Sequence, residues 1–273
     1  MHSTNPTDQP DDRLSVLLVV PREYYYIPKF LAQLVESPQI RVVGITTVPP
    51  ALGTQGVFGF AARLFRSFGP RVFAQHVGFY LRYLATDHAN RLLSRGRPYS
   101  PKTLALRHDI EYRHVADVNA PSYIDYAKSK NPDVLVSVAA TQKFGPELLS
   151  VPANCAINIH SSLLPAYRGV SPSFWALLND EDATGITVHY MAPEFDTGDV
   201  IVQRPLPIEP GDSLHTLNTR VAEHGSAVLV EALERIHEGA VEPKPLDLSA
   251  GGYYSVPKRD HVKEFLATGR RFF

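Results

Sequence analysis

At 273 residues, 44% of them hydrophobic, the chain is long enough to bury one large core, alone or with a small appendage. Its 27 Lys and Arg against 28 Asp and Glu exclude a global field able to hold a polyanion through many phosphate contacts. The lone Cys155 excludes an intrachain disulfide or a multi-cysteine metal site; no apolar run approaches the roughly 20 residues that span a bilayer, so a soluble cytoplasmic protein is expected.

The polar opening, residues 1–13, reads as a disordered tail. Short Val, Leu and Ile runs then follow at Leu14–Val20, Ile40–Val48 and Val134–Ala139, with a further strand at Cys155–His160. Nearly uninterrupted apolar strands of this kind are covered on both faces. Helices are predicted between them at Pro28–Glu36, Pro121–Lys130 and Phe144–Ser150. The alternation specifies an α/β fold with an open, doubly wound, mostly parallel sheet, which binds ligands at the carboxyl ends of its strands.

Residues 51–110 are a helical insertion after the second strand, with helices at Phe58–Phe68 and Val72–Leu93. The Phe60, Leu64 and Phe68 stripe reads as packed core or a subunit contact, and a homodimer is compatible with it. Arg63, Arg66, Arg71, Arg82, Arg91, Arg95 and Arg97 form a basic run there, first of all a solvated face and otherwise the place for an anionic substrate. Strands at Gly185–Met191 and Val200–Ile208 come next, the second broken by Pro205 and Pro207 as suits a sheet edge. Ser213–Glu238 is one long amphipathic helix with Asp212 or Ser213 as N-cap and Gly239 as its stop. The catalytic domain is therefore expected over 14–209, with a C-terminal helix and tail over 210–273.

In a strand at 155–160, Asn158 and His160 share one face while Ile157 and Ile159 fill the other. This sets an amide donor beside an imidazole at the strand's carboxyl end. Alone, an Asn-x-His pair in a strand is more often structural. It gains weight from Tyr167-Arg168-Gly169 just after it and from Glu194-Phe195-Asp196-Thr197-Gly198-Asp199 farther on.

With Ser162-Leu163-Leu164-Pro165 and Thr184-Gly185-Ile186-Thr187 added, the span from Asp133 to Glu231 resembles the folate-dependent formyltransferase family. Its members act on methionyl-tRNA, glycinamide ribonucleotide or nucleotide-linked amino sugars. The resemblance implies a Rossmann-like fold, a 10-formyltetrahydrofolate co-substrate without a metal, and catalytic roles for Asn158, His160 and Asp196. It also implies folate contacts from the loop Ala139, Ala140, Thr141 and Gln142, from Leu163 and Pro165, and from the loop Glu194, Phe195, Thr197 and Gly198. An amine attacking a formyl amide creates an oxyanion, for which Asn158 and His160 supply donors. Asp196 orients or charges His160 and relays the proton.

The first third departs from the family. After Leu14–Val20 the chain runs Pro21-Arg22-Glu23-Tyr24-Tyr25-Tyr26, without a glycine-rich phosphate turn. That also excludes a G-x-G-x-x-G dinucleotide site. The tRNA-acting members carry a C-terminal β-barrel for which little chain remains after Pro210, so the expected acceptor is a small-molecule amine, a nucleotide-linked amino sugar first, and tRNA is not expected as a partner. The Tyr24–Tyr26 turn and the arginine run are expected at the acceptor's rim. Folate hydrolysis, a tRNA-acting enzyme without the barrel, and a folate-binding protein without catalysis stay open as alternatives. A serine hydrolase is excluded by the missing G-x-S-x-G, and Cys155 reads as a small buried side chain. His108 and His114 are not spaced as metal ligands on one helical face.

Overall fold

The computed structural model describes residues 11–49 and 57–273. Most of the polar N-terminal stretch and the start of the 51–110 segment lie outside these residues, as do the side chains of Phe58 and Phe60.

Along the chain run β1 (Leu14–Pro21), α1 (Tyr26–Glu36), β2 (Ile40–Val48), α2 (Val57–Leu92), α3 (Pro101–Arg107), β3 (Tyr112–His114), α4 (Pro121–Ser129), β4 (Val134–Val138) and α5 (Pro146–Leu149). They are followed by β5 (Cys155–His160), β6 (Arg168–Gly169), α6 (Pro172–Leu178), β7 (Ala183–Tyr190), β8 (Val200–Pro207), α7 (Leu214–His237), β9 (Tyr253–Tyr254) and α8 (Arg259–Ala267). One seven-stranded sheet has the order β3-β2-β1-β4-β5-β7-β8, and β6 pairs with β9 apart from it. The first five strands are parallel, while β7 and β8 are antiparallel additions on the side of β5. The proline-broken strand is the outermost one, where a missing N–H goes unnoticed.

Every residue of β1 is buried, and alternation divides its side chains between two layers. Leu14, Val16, Leu18 and Val20 face α1 and α7, whereas Leu17 and Val19 face α4 and α5 through Tyr123, Tyr126 and Leu148. A strand buried on both faces in this way needs no polar alternation. Helix α7 begins at Ser213, whose hydroxyl accepts from Thr216 N while Thr216 Oγ1 accepts from Ser213 N, closing a reciprocal cap.

Helix α2 is two helical segments meeting at Gly69-Pro70, where Gly69 takes φ 76°. Phe68 stacks on His76 across the bend and meets Phe272 edge-on, so that part of the aromatic stripe is packed core. The second segment carries Phe79 and Tyr83 against Tyr25. Tyr25 has a φ of 114°, costly for a residue with a Cβ, and its ring is enclosed by Tyr26, Phe79, Tyr83, Tyr99 and His215. Aromatic contacts compensate for the strained turn after β1. No helix among the described residues is long and apolar enough to cross a membrane.

Glu23 closes the same turn, its Oε2 accepting from Tyr26 N at 2.9 Å and Ile27 N at 3.0 Å. Burial pushes its carboxyl up to about 7 from an ordinary 4.5, against the two amides that favour the ionised form. Between those values the folded protein holds a proton that the unfolded chain has released, so stability falls as pH rises through this window. Glu23→Gln keeps an oxygen for the two amides and is expected to flatten that slope and to melt above wild type at about pH 8. Thermal melts across the window check this; identical slopes in the two proteins would remove Glu23 as the cause.

Candidate active site

A pocket of about 240 Å³ opens at the carboxyl ends of β4 and β5. Its walls are the loop after β4, the end of β5, the backbone after β6, the end of β7 with its following loop, and Tyr253 from β9. Asn158, His160 and Asp196 all line it, brought together from two segments nearly forty residues apart. Ala139, Ala140, Thr141 and Gln142 form one side, and Glu194 and Phe195 another.

The other folate contacts expected from sequence lie behind the wall. Leu163 packs against β7, where a Cβ on Gly185 would come within 2.3 Å of it. Pro165 O lies 1.9 Å from where a Cβ on Gly251 would fall, so this proline seats the β9 segment. Gly198 brings its loop against β7, with a virtual Cβ 2.0 Å from Tyr190 O, and the Thr197 hydroxyl donates to Glu194 O at 3.1 Å. These residues shape the loop that presents Asp196. Among the described residues, none of α2 and none of Tyr24–Tyr26 lines the pocket; those tyrosines and the facing rings of α2 are engaged in packing α2 onto α1 and α7.

His160 is buried and meets an acceptor at each ring nitrogen: Tyr167 O at 2.9 Å from Nε2 and Asp196 Oδ1 at 3.6 Å from Nδ1. The short contact assigns the proton of the neutral ring to Nε2. Nδ1 then points a lone pair at a carboxylate across a gap too long for a hydrogen bond. A proton arriving at Nδ1 would be held from both sides. Burial drives His160 below its ordinary 6.5, more strongly than Asp196 and the Tyr167 carbonyl raise it, so the resting ring is neutral at pH 7. Burial alone would raise Asp196, but the His189 and His160 rings, whose protonated forms its charge would pair with, and the Gly169 amide outweigh it and hold the carboxyl below the usual range. Gly169 N donates to Asp196 Oδ2 at 2.8 Å.

His189, which sequence reasoning did not single out, completes the arrangement. It lies directly opposite Asn158 in the β5–β7 ladder and so shares its face. Its Nδ1–H donates to Tyr190 O at 2.8 Å, leaving Nε2 to accept from Asn158 Nδ2 at 3.2 Å. That anchors the Asn158 amide with its nitrogen as the donor and one N–H still free. His189 Nε2 also lies 3.6 Å from Asp196 Oδ1. His189→Phe is therefore expected to lower kcat by roughly tenfold or more through a misaimed amide, whereas His189→Gln, which keeps an acceptor, recovers part of the loss. Steady-state kinetics on both variants check it; full activity in the Phe variant would show that Asn158 needs no such anchor.

Four non-glycine residues around the pocket take positive φ: Ala139 (52°), Tyr167 (55°), Ser171 (58°) and Asp196 (56°). Each costs roughly 1 kcal/mol or more, which packing must offset to hold the loops in place. Cys155 is half-buried and its thiol is pushed up to about 11 by burial, which makes it a poor nucleophile. Among the described residues no group of three or more His, Cys, Asp or Glu could hold a metal ion.

This is a Rossmann-like α/β protein with an amide, two imidazoles and a carboxylate gathered at the carboxyl edge of its sheet. The chain belongs to the formyl transferase family, whose sequence model matches residues 83–233, more than half its length. It is 34% identical over 175 residues to a methionyl-tRNA formyltransferase from Pelobacter propionicus, a match that covers 63% of this chain and 55% of that protein. The chain thus spans about half the length of the curated relatives it matches. Two solved structures share its fold at 18% identity: glycinamide ribonucleotide transformylase 1 from Symbiobacterium toebii, with a TM-score of 0.60 over 89% of this chain and 99% of that one, and a sugar N-formyltransferase from a Shewanella species, with a TM-score of 0.58 over 95% and 90%. The expectation against tRNA as a partner is corrected, because the curated relatives are methionyl-tRNA formyltransferases. It rested on where the chain ends, which does not determine the acceptor.

Proposed function

We propose that this chain transfers the formyl group of 10-formyltetrahydrofolate to a primary amine, with Asn158, His160 and Asp196 as the catalytic residues. The observation that carries this reading is the convergence of the three side chains on one pocket, Asn158 aimed by His189 and His160 facing an acceptor at each nitrogen. The co-substrate lies between the Ala139–Gln142 loop and the Glu194–Asp196 loop. As the amine nitrogen bonds to the formyl carbon, charge develops on the formyl oxygen, toward which Asn158 directs its free N–H. The amine's proton passes to His160 Nδ1, where Asp196 and Tyr167 O stabilise the imidazolium, and from there to the folate nitrogen as its bond to carbon breaks.

The relatives include enzymes named for two kinds of acceptor, methionyl-tRNA and a sugar amine. The test is a mass-shift screen with 10-formyltetrahydrofolate against both kinds and a panel of amino acids. An acceptor gaining the mass of a formyl group in a folate-dependent manner supports the reading and names the amine. Release of formate without any amine would replace transfer by hydrolysis. Folate binding with no turnover would sink catalysis altogether.

A further inference from the structure

The arginine run of α2 and the turn after it takes no part in the pocket, and its surroundings set it apart from the protein's other charges. Residues 57–97 hold seven arginines and a single acidic residue, Asp87. That carboxylate is buried and engaged inside the protein, accepting from Tyr99 N and from the Ser100 and Thr103 hydroxyls, each at 2.7 Å. Among the described residues none of the seven arginines lies within ion-pair distance of a carboxylate, whereas Arg204, Arg220, Arg235 and Arg270 each have one. The segment is therefore a patch of one sign on a chain whose formal net charge is -1.

The same surface is apolar along its middle. The helical segment after Gly69-Pro70 turns Phe79 and Tyr83 inward against Tyr25. On its opposite side Ala74, Val77, Leu81, Ala85, His88 and Leu92 recur at intervals of three and four residues, all of them exposed, Leu81 by 55% and Leu92 by 73%. At roughly 3.6 residues per turn they form one continuous stripe about 27 Å long. A single surface leucine means little, but a continuous apolar row marks a contact. Around the helix, Arg71 and Arg82 flank the stripe on one side and Arg91 on the other. A second copy of this chain laid on the stripe would set arginine against arginine. Nucleic-acid phosphates would satisfy the arginines and leave the leucines in water. Anionic headgroups over an apolar layer satisfy both.

We propose that this face of α2 is a peripheral contact for an anionic lipid bilayer. Leu81 and Leu92 enter the headgroup layer, and the flanking guanidiniums take lipid phosphates in forked hydrogen bonds. Such a contact lies on the bilayer and needs no spanning helix. None of the described residues of α2 lines the pocket, so the contact does not consume the site. It involves neither folate nor amine, and therefore stands or falls separately from formyl transfer.

Co-sedimentation of the full chain with vesicles of phosphatidylcholine alone, and of phosphatidylcholine mixed with phosphatidylglycerol, tests it. Wild type is expected to bind the anionic vesicles at least about tenfold more tightly, with a preference that shrinks as salt is raised. Arg71→Gln combined with Arg82→Gln should weaken that binding about tenfold or more, and Leu81→Gln with Leu92→Gln at least about fivefold. Lysine at the same two arginine positions should keep most of it. Lys128→Gln with Lys263→Gln removes equal charge from two exposed ion pairs elsewhere and should bind like wild type. The four substituted side chains of α2 are exposed, so unchanged melting temperatures are expected. If a pair melts lower, the single substitutions Arg82→Gln and Leu81→Gln carry the comparison, each with a several-fold loss. Equal or absent binding to the two vesicles, leucine variants that bind like wild type, or a lysine control as weak as the arginine pair overturns the proposal. So does retention of an RNA duplex in place of vesicles, which would give the arginines to nucleic acid. A wild-type dimer that ignores vesicles and becomes monomeric in the leucine pair would overturn it too, giving the stripe to a second copy.

Discussion

His160→Ala and Asp196→Asn are each expected to lower kcat by about 10²–10³ while folate affinity and fold are retained. The two losses differ in kind. Removing the imidazole leaves Tyr167 O without its ring donor and deprives the amine of its base. Asp196→Asn keeps an oxygen for the Gly169 N–H but takes away the charge facing Nδ1, so the imidazolium loses its stronger stabiliser. The depressed His160 value sets the pH profile: at acid pH the ring is protonated before the amine arrives, so kcat/KM for wild type rises with pH through a transition below 6.5. That limb should vanish in His160→Ala. Rapid-quench or steady-state assays with the acceptor found by the mass screen measure both effects, and near-normal turnover in either variant would remove that residue from the mechanism.

How much of this was legible beforehand depended on the length of each signal. The runs at β1, β2, β4 and β5 declare themselves because strands buried on both faces are simply apolar, and the doubly wound sheet follows from their alternation with helices. The three-residue β3, the two-residue β6 and β9, and the short α3 and α6 are too brief for a period to register. Helix α8 lies in a stretch whose prolines and glycines suggested tail, yet Phe265 and Val262 bury it against the body.

The site divides the same way. Asn158 and His160 are two apart in a strand, so their common face is a matter of geometry. Asp196 was reached only through the family motif, because a loop residue at positive φ has no periodicity to locate it. His189 was one histidine among 11, and only the register that sets it opposite Asn158 distinguishes it. The tyrosines of the first turn misled for a related reason: flat rings suit a ligand or a neighbour equally well, and here α2 supplies the neighbour.

Gly169→Ala is expected to damage both stability and turnover, because this glycine is constrained in three ways at once. Its φ is 99°, outside what a side chain tolerates comfortably, and an added Cβ would lie 2.3 Å from Tyr254 O and 3.0 Å from the Tyr253 ring. Relief requires β6 to separate from β9, and the same residue's N–H holds Asp196. Strain from φ alone should amount to about 1 kcal/mol, which Gly211→Ala measures directly: Gly211 has φ 85° with nothing within 4 Å of the added atom. The Gly169 variant should lose roughly 2–4 kcal/mol, the backbone collision adding to the φ penalty. Its kcat should fall at least about tenfold as Asp196 drifts from His160, while Gly211→Ala keeps wild-type kcat. Denaturant unfolding and steady-state kinetics on the pair separate the contributions. Equal losses of stability in the two variants, with kcat intact in both, would mean that β6 yields freely and that Asp196 does not depend on its amide.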